Sequence, residues 1–392
     1  MRISIGLALC ILLGGLSVAC SPMSRITQAN SEGARSAGDE PAKVKPSPLR
    51  SEWRIGAPSS HASLTVFPVL SQEPESARGY ITLDQGLRSG KVIITEIGQD
   101  GRSRRIDPRR QTSEDADVNK LAITNRTGKT LILVAGEVLI GGKQDRIVGH
   151  DCLVASANEP VEIDVFCVEQ GRWEDRPAFG RSSGTGGGTG SRIGAGSSAG
   201  AGGGGGLTST LSTAPGVIAA PDVREKAQAK KDQSAVWSNV TETVTVNSSR
   251  SATLTLNRVY ENRNVTRKLR AYERTLRGKL AARNVVGAVV AVGGEIIAAD
   301  VFASPSLFQA YWPKLLKSYA LQAISTPIPQ GRRLTQSDAR GFLARSDGAS
   351  SANGREGVYR LTEYQSDTDA SFELEHYVEK PALIHFNRVN KR

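Results

Sequence analysis

Two short polar segments carry the residue types most able to bind a ligand. In the first, Gly136 to Arg146, a strand-like run ends in two glycines and is followed by Lys, Gln, Asp and Arg. Glycine permits a positive φ or a close approach to a ligand, and a guanidinium can bind a phosphate or carboxylate at two points. In the second, Cys167 to Trp173, another strand-like run ends in Glu, Gln, Arg and Trp, and loops at strand ends commonly carry sites. The candidate ligand-binding residues are Glu137, Gly141, Gly142, Lys143, Gln144, Arg146, Glu169, Gln170, Arg172 and Trp173.

The same side chains could also be purely structural. The pair Gly141–Gly142 could be a plain hairpin turn, and Trp173 could cap the core. Glu137 and Glu169 could form a carboxylate pair or, more commonly, salt bridges with the arginines of these segments. The sequence has neither a Gly-x-Ser-x-Gly nor a His-Glu-x-x-His pattern, so no catalytic residue is assigned.

The chain length around an intervening turn predicts how the two segments meet. The turn-like stretch Ser156–Pro160 is preceded by ten strand-like residues, from Arg146, and followed by ten more, up to Gln170. Antiparallel pairing about that turn brings Arg146 close to Gln170. We therefore predict that Lys143–Arg146 and Glu169–Trp173 share one face and form the principal polar site.

Two cysteines lie in these paired runs. The same pairing would place Cys152 and Cys167 roughly opposite one another, and a disulfide is then a candidate in an oxidising compartment. The alternative is two small, buried apolar side chains. Because the sequence has no Cys-x-x-Cys pattern and no close His pair, no metal site is predicted.

The hydrophobic patterning predicts an α+β fold. A mainly antiparallel β N-terminal module, residues 59–177, contains short strand-like runs separated by Gly, Asn and Pro. A C-terminal module, residues 234–392, contains a β-hairpin around Gly293–Gly294, two helices and three closing strands. Between them, residues 178–233 are predicted to be a Gly-rich disordered insert, since the glycines are not followed by the Gly-Lys-Ser/Thr of a phosphate loop.

The first twenty residues predict an export signal. One positive charge, an apolar run and small residues describe a secretory signal peptide over residues 1–19. The following cysteine, Cys20, predicts an acylated bacterial lipoprotein, although Ser17 stands where such signals usually carry Leu. Ser21, rather than Asp, after the cysteine favours the outer membrane, facing the periplasm, over the inner membrane. Plain secretion and an uncleaved apolar N-terminus are the alternatives, and residues 20–58 are predicted to be a disordered tether.

The formal net charge of +11 is spread along the chain in small clusters that interleave with Asp and Ser. No basic stripe with interleaved aromatics is evident, and the export signal argues against a nucleic-acid role. We therefore predict no nucleic-acid partner. Attraction to anionic lipid or to a cell-wall polymer stays open.

The two polar segments also carry a family resemblance. The strings Gly136–Arg146 and Cys167–Trp173, together with Val286–Gly294 and Trp312–Leu316, resemble the ARG and rhodanese-phosphatase-superfamily-associated protein domain family. The similarity covers about residues 60–325, apart from the Gly-rich insert. Association with ADP-ribosylglycohydrolase and rhodanese-phosphatase proteins implies a link to NAD-derived or phosphorylated compounds. The resemblance brings no established activity and no catalytic residue, and the export signal departs from a cytoplasmic setting.

These observations predict a lipoprotein at the cell envelope whose folded body is a ligand-binding or scaffold domain. The predicted partners are the lipid bilayer, through acylated Cys20, and an unknown small anionic ligand or an envelope protein; no cofactor is predicted. The alternative is an enzyme that acts on a phosphorylated or ADP-ribose-like molecule. A ligand site requires the candidate side chains to converge in one pocket, whereas a scaffold does not.

Overall fold

The structure is a computed structural model that describes residues 52–72, 74, 76–97, 119–170, 211–247, 254–326, 332–345, 348–377 and 381–391. The predicted signal peptide, Cys20, Arg172, Trp173 and the Gly-rich stretch before residue 211 lie outside the described residues. Strands and helices both occur, and the sheets are mostly antiparallel. The predicted α+β class is therefore confirmed.

The strands are short, as the regular turn signals predicted. In chain order they are β1 (Arg54–Ile55), β2 (Ser59–His61), β3 (Leu64–Leu70), β4 (Tyr80–Thr82), β5 (Val92–Glu96), β6 (Lys120–Asn125), β7 (Thr130–Leu133), β8 (Glu137–Ile140), β9 (Arg146–Val148), β10 (Cys152–Val154), β11 (Val161–Cys167), β12 (Glu169–Gln170), β13 (Ser212–Ile218), β14 (Leu254–Thr255), β15 (Val285–Val292), β16 (Glu295–Phe302), β17 (Ala349–Arg355), β18 (Tyr359–Gln365), β19 (Asp369–Tyr377) and β20 (Pro381–Asn390).

The helices are concentrated in the second half of the chain. They are α1 (Leu83–Arg88), α2 (Pro221–Glu225), α3 (Gln233–Val246), α4 (Leu256–Glu261), α5 (Arg263–Leu276), α6 (Pro305–Ser325) and α7 (Gln336–Ala344), with a π-helical turn at Lys226–Lys230 and a 3-10 turn at Arg277–Leu280. None of the described helices combines the length and apolarity needed to cross a membrane.

The largest sheet is antiparallel and has nine strands. Its order is β1-β3-β15-β16-β20-β19-β18-β17, and β2 also pairs with β3. Every residue of β15 is buried, and the run consists only of Val, Ala and Gly, as suits a central strand between β3 and β16. Gly293 and Gly294 have φ of 62° and 86°, as a two-residue hairpin turn requires. The predicted hairpin between β15 and β16 is confirmed.

The predicted polar segments lie in smaller sheets: the first borders β8 and β9 of a six-stranded sheet, and Glu169–Gln170 form β12, which pairs with β14 in a two-stranded sheet. The six-stranded sheet has the order β13-β8-β9-β11-β6-β5, and a three-stranded sheet has the order β10-β7-β4. Consecutive strands β9 and β10 therefore belong to different sheets. This division decides where the two polar segments and the two cysteines lie.

The structure differs from the predicted domain organisation at residues 211–233, which were expected to be disordered linker. There β13 pairs with β8, and α2 and the π-helical turn follow. The small, polar composition of β13 resembles a linker, but its pairing with β8 and the burial of Ile218 and Val223 order it. The predicted modules also share one sheet, since Phe67 of β3 is the register partner of Val289 in β15.

The longest helix, α6, connects the sheets. It begins after Ser304, whose hydroxyl accepts the Leu307 N–H at 3.2 Å, and Pro305 occupies its first position. The Trp312 indole N–H donates to the Arg277 carbonyl at 3.1 Å, and the Tyr311 hydroxyl donates to the Ile132 carbonyl at 3.1 Å. These bonds fix α6 against both the helical layer and β7.

Candidate functional site

The two predicted polar segments adjoin. Arg146 of β9 is the register partner of Cys167 in β11, and the Asp145 N–H donates to Glu169 Oε2 at 3.1 Å. The expected ten-residue ladder is absent, however, because β10 leaves it: Cys152 pairs with Leu133 of β7. The first segment and Glu169 thus come together through the short β9–β11 pairing and the Asp145–Glu169 hydrogen bond.

The candidate disulfide is not formed in the structure: no S–S bond joins Cys152 and Cys167, and both side chains are buried. They lie on strands of different sheets, and Cys152 packs in an apolar cluster with Leu133 and Val165. Burial raises the pKa of both thiols. The alternative of two small buried side chains describes them correctly.

Arg146 is neutralised inside the protein. Its side chain is fully buried and donates to Glu96 Oε1 at 2.8 Å and Oε2 at 3.1 Å. The Lys143 N–H donates to the same Oε1 at 2.9 Å. Glu96 therefore occupies the two-point position that the sequence assigned to an anionic ligand. Sequence reasoning missed Glu96, which stands at the end of β5.

The glycine pair does form a turn with positive φ, at 109° for Gly141 and 61° for Gly142. The close approach at Gly142 is to an internal carboxylate. A Cβ built there would lie 2.2 Å from Glu96 Oε1. The two glycines accordingly make room for the Glu96–Arg146 pair.

Glu137 also has an internal partner. Lys314 of α6 donates to Glu137 Oε1 and, at 3.0 Å, to Asp84 Oδ2. The second oxygen of Glu137 accepts the Val134 N–H at 2.8 Å. Burial alone would lower the pKa of Lys314, but the two carboxylates raise it above its ordinary value. This buried ammonium ties α6 to β8 and α1.

The remaining candidates do not complete a pocket. Gln144 is buried, and neither amide atom has a hydrogen-bond partner among the described residues. The backbone of Gln170 pairs with Leu254 of β14. None of the predicted ligand-binding residues that the structure describes lines the cavity described next.

A cavity of about 590 Å³ lies where β11, the π-helical turn and strands β18 and β19 meet. We call it the polar cavity, because its lining includes several polar side chains, among them Asp164, Gln228, Lys231, Asn353, Tyr359 and Glu363. A smaller cavity of about 210 Å³ shares His150, Asp164 and Tyr359 with it. Phe166 and Phe372 supply aromatic wall. A concave site with aromatic walls and a few convergent polar groups is typical of small-molecule binding.

Gln228 is the least satisfied polar side chain in this wall. It is 1 % exposed, and neither its amide oxygen nor its amide nitrogen has a partner within the described part of the chain. It belongs to the π-helical turn Lys226–Lys230, and the next residue, Lys231, has a left-handed conformation with φ of 53°. Single π-helical turns occur frequently at functional sites. A buried amide without partners costs about 1–3 kcal/mol, and a bound ligand could offset that cost.

The ionisable groups of the polar cavity are mixed in sign. Lys231 Nζ lies 2.9 Å from Glu363 Oε2, and His150 Nδ1 lies 3.7 Å from Asp164 Oδ2. Burial raises the pKa of the Tyr359 hydroxyl, which stays protonated as a donor. The wall therefore offers both donors and acceptors without an excess of positive charge. Within the described ranges, no group of three His, Cys, Asp or Glu side chains is arranged to hold a metal ion.

The fold and this cavity define an α+β protein with a polar cavity at the junction of its sheets. The chain belongs to the family of ARG and Rhodanese-Phosphatase-superfamily-associated Protein domains, whose family model matches residues 52–192 and 209–389. The match resumes immediately before β13, so the segment that carries Gln228 is part of the family domain. Comparison with curated proteins and with solved structures finds no match.

Proposed function

We propose that this protein is a cell-envelope lipoprotein whose folded body binds a small, uncharged molecule bearing hydroxyl and amide groups in the polar cavity. The proposal is supported chiefly by Gln228, a buried residue that lines the cavity and whose two amide atoms have no hydrogen-bond partner among the described residues. An amide offers one acceptor and two donor hydrogens, which suit hydroxyl and amide groups of a ligand. The envelope location rests on the signal-like residues before Cys20.

Charge favours a neutral ligand over the anionic one predicted from sequence. That prediction depended on Lys143 and Arg146, and the Arg146 guanidinium is already paired with Glu96. The cavity wall contains two carboxylates, those of Asp164 and Glu363, and one ammonium group, that of Lys231. A phosphate would meet two carboxylates there, which costs free energy through like-charge repulsion.

A thermal-shift screen tests the proposal. The probes are simple sugars, N-acetylated sugars, nucleosides, sugar phosphates and ADP-ribose. We expect neutral hydroxyl- and amide-bearing probes to raise the melting temperature, because a ligand that binds only the folded state stabilises it. A response confined to phosphorylated probes would favour the enzyme alternative. No response to any probe would favour a scaffold and contradict the proposal.

A further inference from the structure

One face of α5 is a row of arginines. Arg263, Arg267, Arg270 and Arg274 on the helix and Arg277 just after it follow one another at intervals of four and three residues. Residues three and four apart lie on the same side of a helix, and all five are exposed. We call this row the arginine face; at 1.5 Å per residue it extends over roughly 21 Å.

The opposite face of α5 fixes the direction in which the arginine face points. Val265, Leu269, Tyr272 and Leu276 are buried in the main core. The Tyr272 ring also meets His61 of β2 edge-on, at 4.8 Å between ring centroids. Because these contacts fix the orientation of α5 against the core, the arginine face stays directed toward solvent.

The charge of the arginine face is not compensated. In the part of the chain that the structure describes, none of its five guanidinium groups forms a salt bridge. The two nearby glutamates face other cations: Glu261 lies 2.8 Å from Arg258, and Glu273 lies 3.8 Å from Lys317. The face also borders a shallow depression of about 790 Å³, lined by arginines with Glu261, Thr266 and Glu273. A row of like charges opposes helix stability, so a role in binding would account for it.

We propose that the arginine face docks the protein on an anionic phospholipid surface. Guanidinium groups bind phosphate oxygens at two points, and a straight row on a rigid helix can contact several headgroups of a flat surface together. The exposed residues between the arginines, such as Asn264, Lys268 and Thr275, include no aromatic ring. These residues therefore supply no aromatic platform of the kind on which single-stranded nucleic-acid bases stack.

The choice of a lipid surface draws on the proposed envelope location, but not on the polar cavity. A chain acylated at Cys20 would keep the body close to a bilayer through its N-terminal segment. An acyl anchor combined with a basic patch holds a protein at a membrane more firmly than either alone. The arginine face would supply the second contact and orient the body.

Vesicle co-sedimentation tests this inference without any acyl group. The protein is the chain from residue 20 onward carrying Cys20→Ser, which retains every described residue. The vesicles contain either phosphatidylcholine alone or phosphatidylcholine with one third phosphatidylglycerol. We expect binding only to the anionic vesicles, weakening as salt is raised. The triple variant R267Q/R270Q/R274Q should bind about 100-fold more weakly, at roughly a fivefold loss per cation.

A matched variant separates the arginine face from overall charge. R88Q/K91Q/R126Q removes the same charge from exposed positions around α1, β5 and β6, and it should bind within about threefold of the parent protein. Circular dichroism checks that α5 is retained, since Arg and Gln have similar helix propensities. Equal losses in the two variants, no binding to anionic vesicles, or tighter binding to single-stranded DNA would each overturn the inference. Because Cys20 is absent, none of these outcomes depends on whether the natural chain is acylated or binds a ligand.

Discussion

His385 Nδ1 of β20 lies 2.6 Å from Asp151 Oδ2, and its other ring nitrogen lies 3.2 Å from Asp300 Oδ1 of β16. All three side chains are fully buried. Asp300 also accepts two N–H groups of Arg224 in α2, at 3.1 and 2.7 Å. One imidazole thus links the large sheet to the loop before β10, while Arg224 attaches α2 to the same cluster.

The first prediction is an alkaline loss of stability. Burial alone would lower the pKa of His385, but Asp151 and Asp300 raise it from 6.5 to about 9. A raised pKa means that the folded state holds the proton more tightly, so the contribution is complete below pH 6.5 and is lost as the pH rises through about 9. Urea unfolding should show the free energy of unfolding falling by up to about 3 kcal/mol across that window.

The buried carboxylates contribute to the free energy of unfolding with the opposite pH dependence. Burial alone would raise the pKa of Asp151 and Asp300, but His385 and Arg224 hold both below the ordinary value of 3.8. Their contribution is present above that value and is lost as the pH falls below it.

His385→Gln should flatten the alkaline decline specifically. A wild-type stability that does not change between pH 6.5 and 9 would contradict the first prediction.

The second prediction concerns Arg146, which the sequence assigned to a ligand. Arg146→Met would leave the Glu96 carboxylate buried without its partner, and we expect a loss of about 3–5 kcal/mol in the free energy of unfolding. The double variant Glu96→Gln/Arg146→Met removes both charges and should recover much of that loss. Denaturant unfolding of the set measures the coupling. A stable, folded Arg146→Met protein that lost ligand binding would instead support the original assignment.

The third prediction uses Gly142. Gly142→Ala should lower the melting temperature by several degrees, because the residue has φ of 61° and the new Cβ would meet Glu96 Oε1 at 2.2 Å. The matched control is Gly278→Ala, since nothing lies within 4 Å of a Cβ built at Gly278. Equal effects of the two substitutions would show that Gly142 is not constrained by the Glu96–Arg146 pair.

The fourth prediction concerns the thiols. Cys152 and Cys167 should resist a thiol reagent in the folded protein, because both are buried and burial raises the pKa of each. Both should react once the chain is unfolded in denaturant. A reductant should leave the melting temperature unchanged. A fall in melting temperature on reduction would reveal a disulfide that the structure does not contain.

Local patterns predicted the local elements and missed the long-range partners. The β15–β16 hairpin follows from an apolar run with Gly293–Gly294, and α5 follows from the spacing of Val265 and Leu269, so both were predictable. The pairs that neutralise the candidate site are 50 residues apart for Arg146 and Glu96, and 177 for Lys314 and Glu137. No local pattern joins residues at such separations.

The polar cavity was missed for a related reason. Gln228 lies in a segment of Ala, Lys and Gln whose composition resembles a linker. Its order comes from packing: Val223 and Ala227 enter the main core, and the Gln365 side chain donates to the Ala229 carbonyl at 2.9 Å. The cavity forms only when this turn meets β11 and β18, which are far apart in the sequence.

The ligand response of two matched variants tests the central claim most directly. Gln228 and Gln144 are both buried amides without partners among the described residues, but only Gln228 lines the polar cavity. Gln228→Leu and Gln144→Leu should each leave the stability of the ligand-free protein unchanged or higher, because no hydrogen bond is lost.

The measurement is calorimetric titration of both variants and the wild type with the strongest probe from the thermal-shift screen. We expect Gln144→Leu to bind like the wild type and Gln228→Leu to bind about tenfold or more weakly, since it removes hydrogen bonds to the ligand. Unchanged affinity in Gln228→Leu, or an equal loss in both variants, would contradict the assignment of the polar cavity as the ligand site.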